Sequence, residues 1–169
     1  MQTFLPYPEF LASARTLDQK RLGKQRVEAI QVLRGLTRPG YGWRNHPAVK
    51  MWAGYEEALT RYGLDMCAVW TEPGRADTCA TTMTVDLAAA CGAGVVRTQV
   101  ELAEAGELPP WLGRDDLHLS HRSSLLRKDP AHYRPIFGDD VPPDLEYVWP
   151  ASDRVRRCLT PDRAAGTAD

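Results

Sequence analysis

No apolar run in this 169-residue chain approaches the roughly 18 to 20 residues that cross a bilayer. The N-terminus also lacks the charged region and apolar core of a secretion signal. Cysteine is scarce: Cys67, Cys79, Cys91 and Cys158 lie far apart without a CxxC pair, which reads as free thiols in a cytoplasmic protein. There is no Gly-rich phosphate loop, no HExxH and no paired-cysteine metal motif. The four histidines, His46, His118, His121 and His132, match no ligand spacing, so neither a metal nor another cofactor is expected. Ser120, Ser123 and Ser124 lack the elbow and the Asp/His order of a hydrolase. No convincing alternating strand is present either, so the architecture is expected to be mostly helical.

What remains is a helical pattern. With 43% hydrophobic and 25% charged residues, the chain has enough apolar material for one domain and its core. MQTFLPYPEF, too rich in proline for a helix, is expected to pack down as an extended segment with the terminal amine near the body. Helices are expected from Glu9 to Arg15, from a cap at Thr16 or Asp18 to Gly35, from Pro47 onward, from a cap at Asp77 or Thr78 to Cys91, from Val95 to Ala105, and from Asp115 to Lys128. The Pro47 helix carries an apolar stripe long enough for two helices or for one interrupted at Gly63, and AHYRPIF reads as a turn. Together these predict an all-α, compact multi-helix domain over residues 1–150, followed by a disordered tail over 151–169.

Charge is segregated along this frame. The net charge is only −1, but Arg15 to Arg44 holds eight Lys/Arg against Asp18 and Glu28, and Glu56 to Asp116 holds eleven acids against four arginines. A basic face on an acidic body keeps nucleic acid open as a partner. At about 100° per residue, Leu22, Ala29, Ile30, Leu33 and Leu36 share one stripe of the opening helix, and Arg21, Lys24, Gln25 and Glu28 share another. The second stripe has two readings. It is either a solvated face with a Lys24–Glu28 i,i+4 pair, or an anion-binding surface centred on a catalytic carboxylate. A later segment, LHLSHRSSLLRKDPAHYR, aligns His121, Ser124 and Lys128 beside His118 and Arg122, either as phosphate contacts or as partners for nearby acids. Tyr41, Trp43, Tyr133 and Trp149 stand beside basic residues, where aromatics stack bases or close a core.

The strings MQTFLPYP, LDQKRLGKQRVEA, GYGW, HPAVKMW, LHLSHRSSLLRKDPAHYRPIF and YVWP make the chain resemble the phage-type pyrimidine dimer DNA glycosylases of the endonuclease V class, and more closely a bacterial branch of them, over about Met1 to Pro150. The resemblance implies a single all-helical domain whose N-terminal segment threads between helices, so that its α-amine meets a glutamate on the first long helix. There the amine attacks C1′ of the damaged nucleotide, an imine forms, and β-elimination cuts the strand. Alignment puts the family's glutamate on Glu28 and its histidine on Arg21. Two DNA-contacting arginines of the phage pattern fall on Val27 and Gln31.

The resemblance thus implies a DNA glycosylase, with AP-lyase activity if the imine is processed, acting on damaged or modified double-stranded DNA as a cytoplasmic monomer. Met1 or Gln2 would supply the amine, since Gln2 is too large for ordinary methionine removal, and Glu28 the carboxylate. Arg21, Lys24, Gln25, Arg26, His46, His121, Arg122, Lys128 and Tyr133 would face DNA. An α-amine titrates at about 7.7 to 8.0, well below a lysine, and so suits imine formation near neutrality. Two alternatives are a nucleic-acid binder without catalysis and an enzyme that cleaves a nucleoside or another small glycosylated metabolite.

Overall fold

Helix begins where the N-terminal prolines stop. In the computed structural model, which describes residues 1–92 and 94–158, eight helices follow one another, with no strand among the described residues. The all-α expectation holds. Helix α1 (Phe10–Thr16) is short and leads to α2 (Gln19–Thr37), where the Asp18 side chain caps the N-terminus by accepting the Arg21 N–H at 3.1 Å. In α3 (Pro47–Lys50), proline occupies the first turn and His46 Nδ1 accepts the Ala48 N–H at 3.1 Å. Then come α4 (Glu56–Thr71), α5 (Cys79–Cys91) and α6 (Gln99–Glu104), the last opened by a Thr98/Glu101 capping box. Helices α7 (Asp115–Lys128) and α8 (Pro130–Phe137) complete the set.

Helix α2 packs on α4 and α5 and is the spine of the core. Its predicted apolar stripe of Leu22, Ala29, Ile30, Leu33 and Leu36 is buried, together with Leu59 and Met66 of α4 and Met83 and Leu87 of α5. Of the two readings of the Pro47 stripe, two helices form, and Gly63 interrupts neither. The chain breaks after α3, through Gly54 at φ 80°, and Gly63 continues inside α4. A Cβ at Gly63 would lie 2.4 Å from Met83 Sδ and 2.9 Å from Ala29 Cβ. This glycine therefore serves close approach of three helices and breaks none of them. AHYRPIF, expected as a turn, lies in α8, because Pro130 enters at the first turn and the Asp129 side chain accepts the His132 N–H.

Beyond α8 the chain crosses the surface of α7 as an irregular strap. The three serines that make no hydrolase hold it there. Ser123 Oγ accepts the Leu145 N–H (3.0 Å), Ser120 Oγ accepts the Val148 N–H (3.2 Å), and the Ser124 hydroxyl meets that of Tyr147. Residues 151–158, expected as the start of a disordered tail, lie against the body. Ser152 Oγ donates to the Ala53 carbonyl, Tyr55 to the Asp153 carboxylate, and Arg154 and Arg157 both pair with Glu107. A Cys91–Cys158 disulfide ends the described strap, while Cys67 and Cys79 are free. The expectation of four free thiols is corrected at that pair, and the argument from thiols to a cytoplasmic location loses its premise there. The rest of the expected tail, 159–169, lies outside the described residues.

Candidate active site

The site begins with the hydrogen bonds of residues 1–5, which have no secondary structure to satisfy their backbone groups. Side chains of α2 and α7 do so. His121 Nδ1 accepts the Leu5 N–H at 2.8 Å, and His118 Nδ1 donates to the Leu5 carbonyl at 2.8 Å. The Gly113 N–H donated to His118 Nε2 fixes that ring's tautomer. Gln25 Oε1 accepts the Phe4 N–H at 2.8 Å, and Trp52 Nε1 donates to Thr3 Oγ1 at 3.0 Å. This N-terminal arm covers the middle of α2. Gln25 is wholly buried and Glu28 only 5% exposed, on a stripe that periodicity alone leaves open to water.

Threaded this way, the arm brings the Met1 α-amine to 3.7 Å from Glu28 Oε1. Lys24 Nζ lies 3.4 Å from the same oxygen, so the i,i+4 pair exists, although its carboxylate is nearly out of solvent. The other oxygen, Oε2, accepts a hydrogen bond from Gln25 Nε2 at 2.7 Å. One carboxylate therefore faces two cations with one oxygen and is held from behind by the other.

A cavity of about 450 Å³ opens over this group. Met1, Gln2, Gln25 and Glu28 line it. Lys20, Arg21, Lys24 and Lys128 supply positive charge, and Phe4, His46, Tyr147 and Trp149 an aromatic side. His46 is edge-on to Trp43 and Trp149. Burial first, and the Met1 ammonium second, push its pKa below the ordinary histidine value. With Nδ1 engaged as an acceptor by the Ala48 N–H, the neutral ring carries its proton on Nε2. Arg21 is anchored by Asp18 at 2.6 Å and by the Lys128 carbonyl at 3.0 Å. Burial works against charge on Asp18, but hydrogen bonds from Arg21 and Tyr133 outweigh it and hold that carboxyl below the usual range.

Residues 1–83 match the family model described as pyrimidine dimer DNA glycosylase. The match covers just under half of the chain and supports membership of that superfamily. The matched stretch contains the arm and helices α1 to α4. No curated protein and no solved structure matches the chain. Among the described residues, no helix is long and apolar enough to cross a membrane.

The residues expected at the site divide into two groups. Met1, Gln2, Glu28, Arg21, Lys24, Gln25, His46 and Lys128 gather around the cavity. Four others do not. His121 is fully buried and spent on Leu5, and Tyr133 is fully buried and donates to Asp18. Arg26 pairs with Asp77 and lies 4.0 Å over the Trp70 ring, and Arg122 lies beneath Tyr7 at 5.9 Å. These four make packing and arm-holding contacts away from the cavity, which spacing on a helix does not reveal because it does not show which face another segment covers. Lys20, Phe4 and Tyr147 were missed as cavity residues, and Tyr62, whose hydroxyl reaches Gln25, was missed behind the cavity. Only Lys20 carried a signal, four residues ahead of Lys24 on the basic helix.

Proposed function

We propose that this protein is a cofactor-free DNA glycosylase that uses the Met1 α-amine as nucleophile and Glu28 as its acid–base partner. The observation that carries the reading is the 3.7 Å approach of that amine to Glu28 Oε1 inside a cation-rimmed cavity. An ammonium has no lone pair to give, so a proton leaves first, and Glu28 Oε1 is the adjacent acceptor. The amine nitrogen then attacks C1′ of the damaged nucleotide. The N-glycosidic bond breaks, and its electron pair departs with the base, which takes up a proton. The nitrogen loses a second proton, and its lone pair forms the C1′=N bond as C1′–O4′ opens and O4′ is protonated. Loss of a C2′ proton from this iminium expels the 3′ phosphate, which is the AP-lyase step.

Glu28 passes the proton it took from the amine to the departing base, and the carboxylate so restored stabilises the positive charge that develops at C1′. Lys20, Lys24 and Lys128 hold backbone phosphates at the rim, and Phe4, Tyr147 and Trp149 receive a base taken out of the stack. Gln2 contributes a wall of the cavity and not the nucleophile, since its own nitrogen is a peptide N–H. The test is borohydride trapping on ultraviolet-damaged and abasic duplexes. A covalent adduct whose N-terminal peptide carries the sugar at Met1 is expected, and it should vanish in Glu28→Gln. Absence of an adduct on every lesion, or an adduct mapped to a lysine, would sink the reading.

A further inference from the structure

We propose that Gln25 is a positioning residue for the amine and carboxylate, holding the arm with one end of its carboxamide and Glu28 with the other. The inference rests on the glycosylase reading above. Gln25 is the one uncharged member of its stripe and is entirely buried. Its Oε1 accepts from the Phe4 N–H at 2.8 Å and from the Tyr62 hydroxyl at 2.6 Å, while Nε2 donates to Glu28 Oε2 at 2.7 Å. The amide is locked in this orientation, because an N–H can only donate and an ionised carboxylate can only accept. The Phe4 carbonyl, 3.0 Å from the Tyr62 oxygen, shares that one hydroxyl proton with Gln25 Oε1, so both backbone groups of Phe4 face the Gln25–Tyr62 pair. Burial, with the Glu28 charge behind it, raises the Tyr62 pKa and keeps it a neutral donor.

Two consequences follow from one side chain. With Oε2 tied to Gln25, the Glu28 carboxylate has a fixed plane and presents Oε1 to Met1. With Phe4 tied to the same amide, the arm stops three residues short of its terminus at a set distance from that oxygen. A rotation of Gln25 would displace nucleophile and base together, and such misplacement costs rate more than affinity.

Three variants test this. In Gln25→Leu, single-turnover adduct formation on saturating abasic duplex is expected to fall by about 30-fold or more, with DNA affinity within about threefold of wild type. Gln25→Glu separates positioning from mere filling of space. Its protonated carboxyl has the same acceptor and donor as the amide, whereas its ionised form opposes Glu28 at hydrogen-bond distance. Its rate relative to wild type at matched pH should therefore rise at least about tenfold from pH 8 to pH 5.5. A flat ratio overturns the proposal, as does a loss of affinity in Gln25→Leu that parallels the loss of rate.

A DNA-free arm follows acylation of the Met1 amine by an activated ester, read by mass spectrometry. Acylation should run at least about threefold faster in Gln25→Leu, because the arm has lost its hold at the Phe4 N–H and its amine is freer to meet the reagent, and an unchanged rate overturns the proposal. If wild type forms no adduct on any lesion, the glycosylase reading fails, and the acylation arm alone decides the role of Gln25. If Gln25→Leu does not melt cooperatively, Gln25→Asn replaces it in both arms. Its carboxamide is one methylene too short to span Phe4 and Glu28, so the same losses are expected and wild-type behaviour overturns the proposal.

Discussion

His121 is the residue on which stability and site geometry meet. It is fully buried, and burial pushes its pKa down to about 3, with His118 adding to the effect. An unfolded imidazole takes a proton below about pH 6.5, whereas this ring resists until about pH 3. Stability contributed by the neutral ring is therefore complete above pH 6.5 and is lost as pH falls through that window, on the order of 3–5 kcal/mol at its acid end. His118, also lowered chiefly by burial, acts in the same direction. His121→Asn keeps an acceptor for the Leu5 N–H and removes the titrating ring. Urea unfolding at a series of pH values should show a lower absolute stability with a flatter acid limb. An acid limb as steep as wild type would mean that carboxylates such as Asp18 and Asp77 carry it instead.

Among elements, α2 decides most. An extra methyl at Gly63 would meet Ala29 Cβ on α2 as well as the Met83 sulfur, and only the latter can swing aside. Gly63→Ala is expected to cost about 1–3 kcal/mol by overpacking, against the gain of up to about 1 kcal/mol in helix propensity. Chemical denaturation measures the balance, and a stabilised variant would refute the close approach. The strap gives a second prediction. Cys158→Ser should lower stability under non-reducing conditions by about 2–4 kcal/mol and leave the reduced proteins equal, because the disulfide closes a separation of 67 residues.

Much of α2 was legible from sequence. Leu22, Leu33 and Leu36 repeat at helical period, and Asp18 announces its cap. The burial of Gln25 and Glu28 was not, because the covering arm is more than twenty residues away in the chain and carries no periodicity of its own. The family resemblance supplied that contact, and α2 alone could not. The Cys91–Cys158 pairing and the seating of His121 and Tyr133 escaped for the same reason: each depends on a long-range partner.

At the scale of the whole molecule, a net charge of −1 coexists with a cavity rimmed by Lys20, Arg21, Lys24 and Lys128. Duplex affinity should fall steeply with salt. Each of Lys20→Ala, Lys24→Ala and Lys128→Ala should reduce the slope of log K against log salt by about one, evenly across DNA sequences. An unchanged slope in all three would place the DNA elsewhere on the surface. Arg21, bound to Asp18 and to a backbone carbonyl, should matter more for the cavity's shape than for that slope. The burial of the first residue also has a practical side. Any affinity tag or leftover linker residue joined ahead of Met1 would turn its amine into an amide and lengthen an arm whose backbone is already fastened at Phe4 and Leu5. On the Met1 reading proposed above, protein prepared with such a scar is expected to form no adduct, and borohydride trapping of tagged against tag-free protein checks it.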